Sequence, residues 1–383
     1  MGFIEHIPGT LPVTPPPPHP KCKGLGVLGL NEGRTLLLAT NRCANAYPVA
    51  ACDLSEEKLA QSRAELPDLF YTTDYAGMLA RHDVEIVAIY TPDSQHADHI
   101  IAAFEAGKDV ICTKPLVNRP DDARRILEAG RRTGRKLLVG QSTRFFEPFQ
   151  RQRRALEKGK YGGLAGIELA DAHYIHRMDW YYRKSPWAAR SAETDWIFLG
   201  LSHPLDLLRW YLGRIRQVHA YRSRSAMGEQ FGLEGHDIYV VNVISEDGRL
   251  GRAMGHYGCH ELPTARNCIE LVLYGSGGTS LAQYHDMKYI HTGGIVDEMT
   301  EITEDHLYAG RHYYFNSEVH GMHYGEFANY LDYFALALMD GVDYSPDLEE
   351  GIETYCVMEA ARRSAETGAP VDLAPLLQEV GLA

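Results

Sequence analysis

Gly24-Leu25-Gly26-Val27-Leu28-Gly29-Leu30-Asn31-Glu32-Gly33-Arg34 is the stretch that decides the fold. An apolar run leads into a glycine turn, a leucine-rich helical segment follows, and Val49-Ala50-Ala51-Cys52-Asp53 reads as a second strand ending in an acid. Strand, glycine turn, helix, strand and terminal carboxylate, with the acid a little over about 20 residues past the turn, is the order of a dinucleotide-binding unit. Glycine lets the backbone approach a pyrophosphate, whose charge is stabilised by N–H groups at the helix start. Gly29, Asn31, Glu32, Gly33 and Arg34 are therefore candidate cofactor contacts, and Asp53 can accept hydrogen bonds from the adenosine ribose hydroxyls. An acid there disfavours a 2′-phosphate, so NAD is expected in preference to NADP. The spacing departs from G-x-G-x-x-G: Asn31 stands at the second glycine, and Gly33 serves as the third only with one residue fewer. Asp53 has a second reading as N-cap of a helix opening at Leu54-Ser55-Glu56-Glu57, and both roles can coexist.

The alternation continues outward. Glu85 to Tyr90 is an apolar strand ending in Thr91-Pro92-Asp93-Ser94-Gln95-His96, and Gly107 closes the helix after it. Asp109-Val110-Ile111-Cys112-Thr113-Lys114-Pro115-Leu116 is a short buried strand with a lysine at its carboxyl end, where open parallel sheets place ligands. Pro115 biases Lys114 toward extended geometry, which keeps the ammonium at the sheet edge. Lys114 is the first catalytic candidate, against the alternative of a solvated lysine on a turn. Pro120 to Thr133 reads as an amphipathic helix closed by Gly134, and Lys136 to Gly140 as another strand. Strands alternating with helices imply an α/β doubly wound parallel sheet, the Rossmann arrangement.

The chain of 383 residues is long enough for two domains, and its formal charge of −13 argues against non-specific binding to nucleic acid. No apolar run approaches a membrane span, and the first residues lack the pattern of a secretion signal, so a cytoplasmic location is expected. Seven cysteines without a Cys-x-x-Cys pair suggest reduced thiols. Residues 1–20 form a proline-rich arm suited to polyproline II, either disordered or lying across a neighbouring subunit.

Thr91-Pro92 with His96, the phrase Glu105 to Cys112 running into Lys114-Pro115-Leu116, and Val139-Gly140-Gln141 with Arg144-Phe145 resemble the glucose-fructose oxidoreductase / inositol dehydrogenase / MocA family. The resemblance implies a Rossmann domain (21–145) and an α+β domain (146–345) whose open, mainly antiparallel sheet serves as substrate wall and homo-oligomer interface. It also implies a closing segment (346–383) that packs back on the first domain. On the cofactor side it points to Thr91, Pro92, His96, Thr113, Lys114 and Arg144. The family's Glu-Lys-Pro signature stands here as Thr113-Lys114-Pro115, which removes a carboxylate beside Lys114.

In the second domain, Gly166 to Tyr174, Tyr239 to Ile244, Arg252 to Tyr257 and Ile269 to Tyr274 alternate like strands. The loop Trp180 to Trp187 is aromatic and basic: its rings suit the apolar face of a sugar, and Arg183 or Lys184 suits hydroxyls or an anion, unless the loop simply packs on the sheet. Tyr174, His176, Arg183, Trp187 and His203 are the expected substrate contacts. In Ser202-His203-Pro204-Leu205-Asp206, Pro204 suits the first helical position, His203 the cap, and Asp206 a structural place in the first turn. His203 resembles the family's active-site histidine and is the second catalytic candidate. The aspartate that the family often carries four residues earlier is Leu199 here, leaving Asp195, Asp179 or His176 to substitute. His256-Tyr257-Gly258-Cys259-His260 lacks the spacing of a zinc site, and no metal is expected. His320, His323, Tyr324 and Glu326 precede a helix with Phe327, Tyr330, Leu331 and Phe334 on one face.

Three functions are consistent with these residues. The first is NAD-dependent oxidation of a ring hydroxyl of a sugar, polyol or glycoside, with Lys114 and His203 sharing the acid–base work. The second uses the same hydride step transiently, as the family's redox-neutral NAD-dependent glycoside hydrolases do, with elimination, water addition and re-reduction, including on sulfonated sugars. The third, a non-catalytic NAD-binding regulator, is disfavoured by retention of both Lys114 and His203.

Overall fold

The computed structural model describes residues 19–184, 195–260, 268–284, 287–293, 301–306 and 326–382. The chain forms two compact units, Met1–Phe145 with Ala309–Ile352, and Phe146–Tyr308 with Glu353–Ala383.

The first unit is built on strands β1 (Lys23–Leu28), β2 (Ala46–Cys52), β3 (Phe70–Thr72), β4 (Ile86–Ile89), β5 (Asp109–Thr113) and β6 (Leu137–Gly140). Every neighbouring pair is parallel, in the order β3-β2-β1-β4-β5-β6. That is the doubly wound nucleotide-binding order, with its crevice where β1 meets β4. The strands are short apolar runs because both faces are covered: every residue of β4 and β6 is buried. The crossover helix Pro120–Thr133 shows why local sequence suffices for such elements. Proline opens it, Asp121 and Asp122 sit at the positive end of its dipole, Arg131 and Arg132 sit at the negative end, and Gly134 caps it at φ 68°.

The helix Glu326–Asp340 belongs to this unit. Phe327, Tyr330, Leu331 and Phe334 share one apolar core with Leu25, Val27, Ile86 and Ala88, and Asp332 Oδ1 accepts the N–H groups of Ala44 (2.8 Å) and Asn45 (2.7 Å). The sequence reading put this helix in the second domain. Burying its aromatic stripe against the parallel sheet assigns it to the first instead.

The second unit is a nine-stranded sheet in the order β14-β13-β12-β11-β7-β10-β9-β8-β15. Its strands are β7 (Ile167–Ile175), β8 (Ile215–Ser223), β9 (Ile238–Ser245), β10 (Leu250–His256), β11 (Cys268–Gly275), β12 (Gly278–Tyr284), β13 (Lys288–Gly293), β14 (Glu301–His306) and β15 (Val371–Asp372). Only β7 and β10 run parallel; the other neighbouring pairs are antiparallel. The helices Glu147–Glu157 and Ser202–Leu212 cover one face. Gln152 Nε2 donates to Ser280 Oγ at 3.1 Å, and a Cβ on Gly251 would meet Leu212 Cδ1 at 2.8 Å. The tail pairs as β15 with β8, so residues beyond Ile352 join this sheet. The sequence reading had sent the whole segment 346–383 back to the first domain. An edge strand has unpaired backbone groups, and pairing β8 with Val371–Asp372 satisfies them.

The helix of the second catalytic candidate starts two residues earlier than the position of Pro204 suggests. Leu201 already has helical angles, and Ser202 Oγ donates to Leu199 O at 2.8 Å, so Ser202 opens the helix and His203 lies within its first turn. Among the described residues no helix is long and apolar enough to cross a membrane.

Gly29 ends β1 at φ +89°, and a Cβ there would stand 2.7 Å from the Tyr90 carbonyl oxygen. Gly29→Ala is expected to cost about 1–3 kcal/mol of stability, read by urea denaturation.

Candidate active site

The parallel register brings the candidate cofactor residues to one edge. Leu28 pairs with Ile89, Ile89 with Cys112, and Thr113 with Gly140. The turns that begin at Gly29, Tyr90, Lys114 and Gln141 therefore leave the carboxyl edge of four neighbouring strands side by side.

The glycine turn fits a dinucleotide. Besides the close approach at Gly29, a Cβ on Gly33 would stand 2.7 Å from Val27 Cγ1, so Gly33 acts as the glycine of helix–strand packing despite the shortened spacing. Asn31 and Glu32 are exposed at the start of the helix Gly33–Ala39. Asp53 Oδ2 accepts the Leu30 N–H at 2.7 Å and Oδ1 accepts the Ser55 N–H at 2.9 Å. The carboxylate thus braces the turn, and since it offers about four acceptor positions it retains capacity for ribose hydroxyls. The N-cap of the following helix is Ser55, whose side chain accepts from the Lys58 N–H, so Asp53 does not fill that role.

Lys114 is half-buried. Burial pushes its pKa below the usual lysine range, opposed by the nearby carboxylates of Glu32 and Asp93. These two acids supply negative charge near the lysine where Thr113 has replaced the family's glutamate. Asp93 is held by the Asn118 amide at 3.1 Å and the Ser94 N–H at 3.0 Å; neither acid's relation to Lys114 is visible in linear sequence.

Three of the expected cofactor residues have structural occupations. The Arg34 guanidinium pairs with the Glu65 carboxylate, Nε to Oε2 at 2.7 Å. His96 is buried, with Nδ1 2.9 Å from Pro115 O and Nε2 2.9 Å from Thr91 O, so it clamps the Thr91-Pro92 turn to the Lys114-Pro115 turn. Burial lowers its pKa, outweighing the carbonyls of Thr91, Leu116 and Pro115 and the charge of Asp93. Arg144 is buried and donates from Nη1 to Ser345 Oγ at 2.7 Å and to Glu350 at 3.4 Å. Each carries a charge or a ring that an interior must satisfy, and short-range partners do so. Thr91 Oγ1 lies 3.0 Å from His99 Nδ1, and Pro92 precedes the single turn Asp93–Gln95.

In the second unit, Tyr174 is the centre of an aromatic group. Its ring lies 6.0 Å from His203, stacks on His176 at 6.0 Å, and meets Tyr257 edge-on at 5.3 Å. Trp196 stacks on Tyr257 at 4.5 Å. Three expected substrate residues, Tyr174, His176 and His203, are thus brought together, and His176 and His203 are buried. Arg183 instead lies over the Phe231 ring at 5.3 Å and 3.5 Å from Asp179; Trp187 lies outside the described residues, as do His320, His323 and Tyr324. Glu326 is buried.

Of the three substitutes for the missing aspartate, the two acids are otherwise engaged, while His176 stands in the Tyr174 group. Asp195 accepts hydrogen bonds from Tyr239 Oη and, at 3.3 Å, from the Ile197 N–H, and burial raises its pKa. Asp179 is paired with Arg177, whose hydrogen bonds hold its carboxyl below the usual range. Asp206 is buried and accepts from Thr354 Oγ1 at 3.2 Å; Thr354 in turn accepts from Arg209. Sequence reading missed Tyr257 and Trp196. The available signal was period two on β10: Gly255 pairs with Tyr174, and its lack of a side chain leaves room for the Tyr257 ring, which a Cβ would meet at 2.8 Å.

Residues 23–141 match the oxidoreductase family, NAD-binding Rossmann fold, and residues 153–373 match that family's C-terminal alpha/beta domain. The chain belongs to the glucose-fructose oxidoreductase / inositol dehydrogenase / MocA family. Its first unit is accordingly an NAD-binding Rossmann fold. Similar family members include a 1-carboxy-3-chloro-3,4-dihydroxycyclohexa-1,5-diene dehydrogenase of Comamonas testosteroni, 32% identical over 52% of this chain and 50% of that protein. Another is inositol 2-dehydrogenase 2 of Saccharopolyspora erythraea, 30% identical over 50% of this chain and 52% of its own length. The chain thus spans about half the length of these curated relatives. Among solved structures, a levoglucosan dehydrogenase in complex with NADH and levoglucosan shares the fold, with a TM-score of 0.77 at 20% identity over 92% of this chain and 99% of that one.

Arg144→Ala is expected to lower stability by about 2 kcal/mol in urea denaturation, since it strips buried hydrogen bonds to a charged group. Glu350→Gln is expected to cost less, because Glu350 is the more exposed partner.

Proposed function

We propose that this protein is an NAD-dependent dehydrogenase that oxidises a secondary ring hydroxyl of a sugar, polyol or related cyclic diol. The observation that carries the reading is Lys114, held at the carboxyl edge of a Rossmann sheet with its pKa depressed by burial. The names of the relatives support the substrate class, since inositol and a dihydroxycyclohexadiene both carry ring hydroxyls.

When bound at the glycine turn, NAD supplies the hydride acceptor. Gly29, Gly33 and the N–H groups near Asn31 and Glu32 would hold the pyrophosphate, and Asp53 would hold the adenosine ribose. Neutral Lys114 accepts the hydroxyl proton as the carbinol C–H bond breaks, and the protonated form returns it in the reverse direction. His203, with Tyr174 and His176 beside it, is the second unit's candidate for binding the substrate and for acid–base work. The aromatic face of Tyr174 suits the C–H face of a ring, and buried Tyr257 and Trp196 back it.

The test is NADH absorbance with a panel of cyclitols, sugars, ring diols and aryl glycosides. Stoichiometric NADH on a ring alcohol is expected, with Lys114→Ala slower by about 10²–10⁴-fold and still able to bind NAD. The kcat/KM for oxidation should rise with pH through a step below lysine's ordinary range, because only the neutral amine accepts a proton. Normal turnover by Lys114→Ala overturns the assignment. Aglycone release that needs NAD but accumulates no NADH replaces it with the redox-neutral hydrolase.

The assembly is read as a homo-oligomer through the open face of the nine-stranded sheet. Tyr221 (59% exposed), Leu250 (52%), Tyr274 (43%) and Val240 (36%) support this, being large apolar side chains whose strand pairings place them on that one face. Sedimentation should give a dimer or larger species that Tyr221→Glu with Leu250→Glu dissociates; a monomeric wild-type chain refutes it.

A further inference from the structure

The same open face carries a group of side chains that neither the hydride chemistry nor the apolar contact surface uses. His173 on β7 pairs directly with Glu270 on β11, and Cys268 lies two residues along β11, so strand geometry turns all three to one side. Their donor atoms, an imidazole nitrogen, a thiol sulfur and a carboxylate oxygen, all lie within 4.8 Å of one another. His173 Nε2 is 3.8 Å from Glu270 Oε1. In a tetrahedral site with bonds of about 2.0–2.3 Å, donor atoms stand about 3.3–3.8 Å apart, so small side-chain rotations close the group around one ion.

A fourth side chain completes the set. Gln283 on β12 pairs with Glu270 and is nine-tenths buried. Its amide nitrogen lies 3.3 Å from Cys268 Sγ and 2.9 Å from Glu270 Oε2, while its Oε1 has no hydrogen-bond partner among the described residues. The two ends of an amide have the same shape. Turning this one over sets the oxygen 3.3 Å from the sulfur, a donor–donor edge of a tetrahedron, and 2.9 Å from the carboxylate, a separation that a small rotation of either side chain opens to such an edge. Without an ion the nitrogen donates to both neighbours; with an ion the oxygen is the fourth ligand.

We propose that His173, Cys268, Glu270 and Gln283 bind a zinc-class divalent cation that ties β7, β11 and β12 together. Mixed nitrogen, sulfur and oxygen donors select zinc over magnesium or calcium, which require oxygen alone. Four protein ligands make the site structural, with no open position for substrate. The sequence expectation of no metal rested on linear spacing, and His173 on β7 lies far in the chain from the β11–β12 hairpin that carries the other three residues.

The experiment is titration of the full chain, stripped with a chelator and kept reduced, with cobalt(II) as the spectroscopic probe. One equivalent per chain should produce the near-ultraviolet thiolate-to-cobalt charge-transfer band, which zinc then abolishes by displacement. Cys268→Ser should lose the band. His173→Gln and Glu270→Gln should retain it with affinity at least about 10-fold weaker. His256→Gln, at the other histidine–cysteine cluster, should bind as wild type. Circular dichroism reports whether each variant folds, and the two half-buried positions keep the test decisive if Cys268→Ser does not. Absence of the band in wild type overturns the proposal, as does its persistence in folded Cys268→Ser or wild-type affinity in both His173→Gln and Glu270→Gln.

Discussion

The ladder that joins β1, β4 and β5 in parallel is the constraint on which the first unit depends. Parallel pairing sends every strand the same way, so the turns after Leu28, Ile89 and Thr113 open at one edge. At that edge the chain must approach itself closely, and Gly29 permits it by leaving no Cβ against the Tyr90 carbonyl. The Rossmann crevice and the place of Lys114 are both consequences of this register.

Charge at that edge is arranged by residues far apart in sequence. Burial depresses Lys114, and the acids that temper the effect, Glu32 and Asp93, stand on the turns after β1 and β4. His96 fastens two of the turns through carbonyl oxygens, and Arg144 fastens the segment around Ser345 and Glu350 to the same unit. Polar side chains that look like ligands in a linear motif therefore divide in the fold. His96 and Arg144 are among those that hold the backbone around the crevice.

The second unit follows a different economy. Its sheet has one face covered by helices, and there Tyr174, His176, His203, Tyr257 and Trp196 meet. The opposite face leaves large apolar residues exposed beside a compact group of nitrogen, sulfur and oxygen donors. Period-two alternation sorts the two sets: on β7, Tyr174 and His173 are neighbours in sequence and point to opposite sides.

By itself the sequence determined the local elements and the class of the first unit. The glycine turn, the acid at Asp53, the proline and glycine that bound the helix Pro120–Thr133, and the Lys114-Pro115 phrase act through backbone preference and short-range charge, which nearby residues specify. The family resemblance carried His203 and Lys114 together. Only the tertiary structure decided that Asp53 braces the turn while Ser55 caps the helix, that Arg34 and Arg144 are occupied by Glu65 and by Ser345 with Glu350, and that 326–352 belong to the first unit while the tail joins the second sheet. Those outcomes depend on which distant groups share a buried space, because a buried charge takes whatever partner packing brings within reach, and chain order does not encode that distance.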